Sequence, residues 1–236
     1  MKSDEGAPAV PAAGLGAVWQ APSASAAAAP AHAPGVPLAE LRRYLRRSLI
    51  ERREALAADV CAAASALVVA ALRTHFPQLS GLRVGFCWPM RNEIDLRPLL
   101  LDWLHAARPG FQALLPVVVG AAQPLAFRAW IPGGTGAAET PLALDRHGIP
   151  YPASGDFVVP EALLVPVNAV DAAGYRLGYG GGYFDRTLAA ISPRPQAIGI
   201  GFDFSRVATV WPQAHDEPLD ALVSDAAVFR FNRHAD

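Results

Sequence analysis

Ala162-Leu163-Leu164-Val165-Pro166-Val167-Asn168, then Arg176-Leu177-Gly178-Tyr179-Gly180-Gly181-Gly182-Tyr183-Phe184-Asp185-Arg186, is the stretch that decides the fold. The first run has the length and the Val and Leu content of a buried strand. The second is a glycine-rich turn that opens a helix near Tyr183. A strand, a loop and a helix in that order form the repeating unit of layered α/β domains.

The same alternation extends to either side. Apolar runs at Arg83 to Trp88, Ala113 to Val119, Leu125 to Trp130, Ala197 to Phe202 and Ala226 to Phe231 are strand-sized. Leu99, Leu100, Trp103 and Leu104 mark a helix between the first two. Upstream, Leu41, Leu45 and Leu49 recur every four residues among Arg42, Arg43, Arg46 and Arg47, the pattern of an amphipathic helix. A second helix, from about Leu56 to His75, is almost wholly Ala, Val and Leu and is expected to pack on more than one side. These runs predict one α/β domain over 38–236, with a largely parallel sheet flanked by helices. Residues 1–37 are dominated by Ala, Pro, Gly and Ser and are expected to form a disordered tail. The Gly- and Pro-rich stretch from Pro132 to Pro160 is expected to be a long surface excursion.

A formal net charge of -1 supplies no global field for a nucleic-acid backbone or an anionic membrane. Neither is expected as a partner. The only lysine is Lys2, so Schiff-base chemistry and a P-loop lysine are excluded within the domain. Cys61 and Cys87 fit no Cys-x-x-Cys or zinc spacing and read as reduced, buried thiols of a cytoplasmic protein. The N-terminal run is broken by prolines and is neither a signal core nor a membrane span. No apolar run elsewhere reaches the roughly 20 residues a membrane-crossing helix needs. The histidines show no metal-ligand spacing, and His215 has no assigned role. Asp145 and Asp171 read as turn formers.

Glycines at 178, 180, 181 and 182 let backbone N–H groups converge on an anion, and the helix that follows adds a partial positive charge. Arg176 at the edge could present a fork to phosphate oxygens. Asp185 beside a polyphosphate would be repelled unless a cation lay between them, and magnesium is the natural bridge. The same residues also suit a plain tight turn and an acid at a helix start. Spacing alone leaves both readings open.

The order Arg176 to Arg186 resembles the signature of the 5-formyltetrahydrofolate cyclo-ligase (5,10-methenyltetrahydrofolate synthetase) family. Three further matches extend the likeness over most of the chain. The family's helical Lys-x-x-x-Arg corresponds to Arg42-Arg43-Tyr44-Leu45-Arg46. Its strand-end aromatic, with a glutamate five positions on, corresponds to Trp88-Pro89-Met90-Arg91-Asn92-Glu93, and His215-Asp216 matches a pair near the C-terminus. The departures are Arg42 for lysine, Gly181 where some members carry a basic residue, and changes at Asn168 and Val170.

The resemblance implies a Rossmann-like fold and an ATP- and Mg2+-dependent ligase that converts 5-formyltetrahydrofolate to 5,10-methenyltetrahydrofolate, ADP and phosphate. It implies ATP contacts from Arg42, Arg43, Arg46 and the segment Arg176, Leu177, Gly178, Tyr179, Gly180, Gly181, Gly182, Tyr183, Phe184 and Asp185. Folate contacts would come from Arg46, Trp88 and Glu93, metal ligation from Asp185 and Asp216, and phosphoryl stabilisation from Arg176 and Arg46. Without the resemblance, Arg42 and Arg46 read as a solvated face, Trp88 as a core aromatic and Glu93 as a helix-start acid. The rival functions are a nucleotide-binding paralogue without cyclisation and a sugar-phosphate isomerase on a similar framework. A monomer or a small homo-oligomer is expected.

Overall fold

The structure is a computed structural model and describes residues 19, 36–134 and 138–232. The expected tail therefore lies outside the described residues except for Trp19, Val36 and Pro37. Trp19 packs edge-on against Phe229, with ring centroids 5.0 Å apart. That large ring is an apolar anchor that the small-residue composition of 1–37 conceals.

In chain order the elements are α1 (Leu38–Glu54), α2 (Ala58–His75), β1 (Arg83–Phe86), α3 (Arg97–His105), β2 (Gln112–Val117), β3 (Ala126–Ala129), β4 (Leu142–Leu144), β5 (Pro150–Pro152), β6 (Ala162–Pro166), β7 (Ala169–Val170), β8 (Arg176–Leu177), α4 (Tyr183–Ala190), β9 (Gln196–Gly201), β10 (Ala221–Ser224) and β11 (Val228–Arg230). The main sheet has the order β11-β10-β9-β6-β1-β2-β3. Its five inner strands are parallel, and only the edge strands β3 and β11 run antiparallel.

Period-two alternation divides the sheet between two layers. Leu164, with Val84, Phe86, Leu115 and Ile198, packs under α2 and α3. Leu163 and Val165 pack on the opposite face with Leu114, Leu222 and Leu188 of α4. The α/β class predicted from the alternation is the one observed. The second helix is buried along a single stripe, Ala64, Val68 and Leu72, rather than on several sides. Its many alanines raise the apolar content without requiring burial. By length and composition alone α2 could cross a membrane, although Asp59, Ser65 and Arg73 interrupt it, so it is not an unbroken apolar run of the length a span needs. Three features were not expected: β10, a four-residue strand too short to stand out, the β4–β5 hairpin within the Pro132–Pro160 stretch, and the β7–β8 ribbon before the glycine loop.

Two aspects of the topology position the site. The chain leaves β1 toward β2 on one side, whereas β6 lies on its other side and leads toward β9, so the strand order reverses between β1 and β6. Open parallel sheets gather ligands in the crevice beyond the carboxyl ends of strands at such a point. α1 does not pack on the main sheet. Leu45 and Leu49 are buried against Ala169 and Leu177 of the β7–β8 ribbon and against Val207 and Val210, at about 1.5–3 kcal/mol for each fully buried leucine. The helix is thereby held beside the segments that follow the strand ends, and its polar face is turned to them.

Candidate active site

Three arginines of α1, Arg42, Arg46 and Arg53, follow one another along the helix at spacings of four and seven and share a face. Arg42 forks onto Asp216, with Nη1 donating to Oδ2 at 2.6 Å and Nη2 to Oδ1 at 3.1 Å. Nη1 also donates to the Trp211 carbonyl. Burial pushes the Asp216 carboxyl up, but the Arg42 fork and the Gln213 N–H outweigh it and hold Asp216 below the usual carboxylate range. Arg46 donates from Nε to the Gly178 carbonyl at 2.7 Å. Among the described residues its two Nη groups have no hydrogen-bond partner. Its guanidinium carbon lies 3.4 Å from the point where a Cβ on Gly180 would stand. Burial, and then repulsion from Arg42, lowers the pKa of Arg46. An anion would relieve both.

The glycine loop carries its own requirements. Gly180 and Gly182 have φ of 98° and 63°, conformations that side chains disfavour. Gly178 differs: its φ is outside that region and a Cβ there would meet nothing within 4 Å. The loop therefore keeps a space at Gly178 that its fold does not require. Of the remaining segment, Leu177 is buried in the α1 cluster, while Tyr183 and Phe184 pack against the sheet, so their contribution is to seat the loop.

The structure brings Arg176 to a different place from the phosphate edge expected of it. Its side chain is 3 % exposed and pairs with Asp185 Oδ1 at 3.1 Å. Its Nη1 donates to the Glu217 carbonyl at 2.6 Å. Burial lowers its pKa, opposed by Asp185 and Asp216. In this geometry Arg176 orients Asp185, which also accepts the Glu217 N–H. Arg43, expected with Arg42 and Arg46, is exposed and lies one residue round the helix from their row, so it is not brought to the site. His215, left unassigned, is 71 % exposed at its side chain. Asp145 and Asp171 accept backbone N–H bonds at turns, as turn formers do.

Beyond β1, Trp88 is half-buried, edge-on to Trp130 at 5.9 Å and covered by the Arg97 guanidinium. Glu93 accepts the Met90 N–H on Oε2 at 3.0 Å and the Tyr179 hydroxyl on Oε1 at 2.8 Å. Burial raises its pKa, offset in part by Arg53 and by those two bonds. A narrow pocket beside it is lined by Arg53, Cys87, Pro166, Val167 and Phe202. The Cys87 thiol is driven up by burial and by Glu93, which suits a wall and not a nucleophile.

Sequence reasoning missed Arg53 and Asn168 as site residues. Arg53 is 4 % exposed and donates to Asn168 Oδ1, Tyr179 Oη and the Arg91 carbonyl. The available signal was a third arginine on the Arg42–Arg46 face.

Donors and acceptors that converge beyond the strand ends, an open glycine loop and an unpaired arginine fork describe a site for an anionic ligand beside a pocket with a buried acid. Comparisons with known proteins give the family of the chain. A model of the 5-formyltetrahydrofolate cyclo-ligase family matches residues 39–225. The 5-formyltetrahydrofolate cyclo-ligase of Mycolicibacterium smegmatis is 32% identical over 151 residues, 62% of this chain and 75% of that one. The Escherichia coli protein of the same name is 35% identical over 72 residues, 30% of this chain and 40% of its own. Among solved structures, the 5,10-methenyltetrahydrofolate synthetase of Aquifex aeolicus superposes with a TM-score of 0.68 at 26% identity, covering 83% of this chain and 95% of that one. That of Mycoplasma pneumoniae shares the fold at 19% identity, with a TM-score of 0.60 over 78% of this chain and 98% of its own. The chain belongs to the 5-formyltetrahydrofolate cyclo-ligase family.

Proposed function

We propose that this protein uses ATP to close 5-formyltetrahydrofolate into 5,10-methenyltetrahydrofolate, releasing ADP and phosphate. The observation that supports it most is the half-buried Arg46, whose Nη groups are unpaired among the described residues beside a glycine loop with open space at Gly178. The loop amides and Arg46 would hold the triphosphate, with Arg42 joining them from its fork on Asp216. Glu93 would accept from the donor edge of the pterin, its 2-amino group and N3–H, with Trp88 beside the ring.

The formyl oxygen attacks the γ-phosphorus and the bond to the β,γ-bridging oxygen breaks, so ADP leaves and the formyl carbon carries a phosphate. N10 then adds to that carbon, its proton is lost, and the C–O bond breaks with departure of phosphate. The protein's part is to align the two substrates and spread the developing charge. Arg46 lies where it could serve both, next to the loop that holds the phosphates. No protein nucleophile is required.

Magnesium fits the residues present. Among the described residues no cluster of three or more potential ligands exists. The candidates Asp185 and Asp216 are both carboxylates, the hard oxygen donors that this ion takes one or two at a time together with phosphate oxygens. One Asp185 oxygen is engaged by Arg176, and both Asp216 oxygens are engaged by Arg42. Asp185 would therefore hold the ion first, and Asp216 would join when Arg42 turned to phosphate. Bound there, the ion would neutralise charge on the β- and γ-phosphates.

The test is to mix pure protein with 5-formyltetrahydrofolate, ATP and magnesium and follow the near-ultraviolet absorbance of the methenyl product. An ATP-dependent rise is expected, and no rise overturns the proposal. Neither rival is favoured, since Glu93, the acid that separates a folate enzyme from both, is built into the glycine loop through Tyr179.

A further inference from the structure

Arg53 is a buried cation of the site with three hydrogen bonds to three different residues, and nothing in the reaction scheme uses it. It donates from Nη1 to Asn168 Oδ1 at 2.7 Å, from Nη2 to Tyr179 Oη at 2.7 Å and from Nε to the Arg91 carbonyl at 2.9 Å. Glu93 Oε1 lies 3.8 Å from Nη2, and the two side chains are 5 % and 8 % exposed. The Tyr179 hydroxyl accepts from Arg53 and donates to Glu93. Four segments thus meet on one guanidinium: the last turn of α1, the loop after β1, the loop that follows β6, and the glycine loop.

Arginine is suited to this point because its planar fork serves several acceptors in fixed directions, which an ammonium cannot. A core filler would not need such bonds, and a buried cation without them would be costly. The loop that carries Glu93 also needs holding. Arg91 and Asn92 have φ of 51° and 59°, a left-handed pair of non-glycine residues that persists only when its surroundings enforce it. Arg53 Nε holds one side of this turn, and the Asn92 amide holds the other by donating to the Glu54 carbonyl at 3.2 Å.

We propose that Arg53 is a positioning residue: it sets Glu93 as the ionised acceptor for the pterin and, through the Tyr179 hydroxyl, locks that acid to the nucleotide loop. This rests on the folate reading of the site given above. Two consequences follow from the geometry. Removing the cation leaves a buried carboxylate, beside the Cys87 thiol and the Tyr179 hydroxyl, with Arg91 as its remaining nearby positive charge, so the ionised form of Glu93 should require a higher pH. Removing the Tyr179 hydroxyl leaves the charge but cuts the link, so affinity for folate should fall and should respond less to nucleotide.

The experiment measures 5-formyltetrahydrofolate binding by quenching of tryptophan fluorescence as a function of pH, with and without a non-hydrolysable ATP analogue. The proteins are wild type, Arg53→Met, Arg53→Lys and Tyr179→Phe. Folate affinity is expected to fall at least about tenfold in Arg53→Met, the scale of one lost charge-assisted hydrogen bond. The acid limb of binding should move to higher pH in Arg53→Met and return toward wild type in Arg53→Lys. In Tyr179→Phe, which removes one hydrogen bond to the carboxylate but keeps the cation, the limb should move up less than in Arg53→Met, while the strengthening of folate binding by nucleotide is reduced. If Arg53→Met fails to fold, Arg53→Lys and Tyr179→Phe decide: folate affinity and nucleotide response within twofold of wild type in both overturn the proposal. So does a folded Arg53→Met with an unmoved acid limb. A wild type that binds no 5-formyltetrahydrofolate sinks the functional reading itself, and is told apart because it appears before any substitution is made.

Discussion

Gly178→Ala separates what the fold needs from what the ligand needs. Gly180 and Gly182 cannot make that separation, because their positive φ values strain any substitute whatever binds nearby. At Gly178 the backbone is ordinary and a methyl would meet nothing within 4 Å. The folded protein should therefore lose no stability, and the stiffer unfolded chain could raise it by about 0.4–1 kcal/mol. Phosphate oxygens would occupy that space, within hydrogen-bond reach of the loop amides. A methyl there would lengthen at least one charge-assisted bond, worth about 1.5–3 kcal/mol, which amounts to roughly ten- to a hundredfold in affinity. The assay pairs a thermal melt with calorimetric titration of a non-hydrolysable ATP analogue and magnesium. A wild-type melting temperature with affinity reduced at least tenfold is the expected result. A variant that melts normally and binds the analogue within twofold would refute the cradle. A melting temperature several degrees lower would refute the premise that the fold leaves the position free.

Asp185→Asn keeps the shape that Arg176 and Glu217 hold but removes the charge, so turnover at saturating magnesium should drop at least about tenfold and the magnesium titration should shift to higher concentration; wild-type kinetics would remove Asp185 from the metal. Asp216→Asn breaks the fork to Arg42, with the Asp216 side chain 5% exposed. Losing about one charge-assisted bond should cost about 1.5–3 kcal/mol, or roughly 3–12 °C in melting temperature for a domain of this size; a shift below one degree would show the pair to be solvated in solution. Arg43→Ala should leave ATP affinity and turnover within twofold, since α1 turns Arg43 to solvent; a larger loss would mean that it reaches the nucleotide after all.

Much of this was legible in the sequence because the relevant signals are local. Leu41, Leu45 and Leu49 mark α1 by period, and the run from Leu163 to Asn168 marks the central strand by β-compatible apolar content. The glycines mark the loop because positive φ restricts residue choice. What escaped detection depends on long-range placement. Arg176 reads as a phosphate ligand by adjacency, yet β8 buries it under Asp185. Arg53 lies seven residues beyond Arg46, on the same helical face, but its partners Asn168 and Tyr179 are more than a hundred residues away and only the closed β7–β8 ribbon brings them to it. The composition of α2 suggests burial on several sides, whereas alanine is tolerated at an exposed helix surface. β10 has only four residues and shows no period long enough to read.

The most direct test follows the formyl oxygen. In the proposed reaction that oxygen attacks ATP and leaves with the phosphoryl group. 5-Formyltetrahydrofolate labelled with heavy oxygen at the formyl group, turned over with unlabelled ATP in unlabelled water, should yield inorganic phosphate carrying one labelled atom for each methenyl product formed. Methenyl product accompanied by unlabelled phosphate, or ATP cleavage without methenyl product, would contradict it.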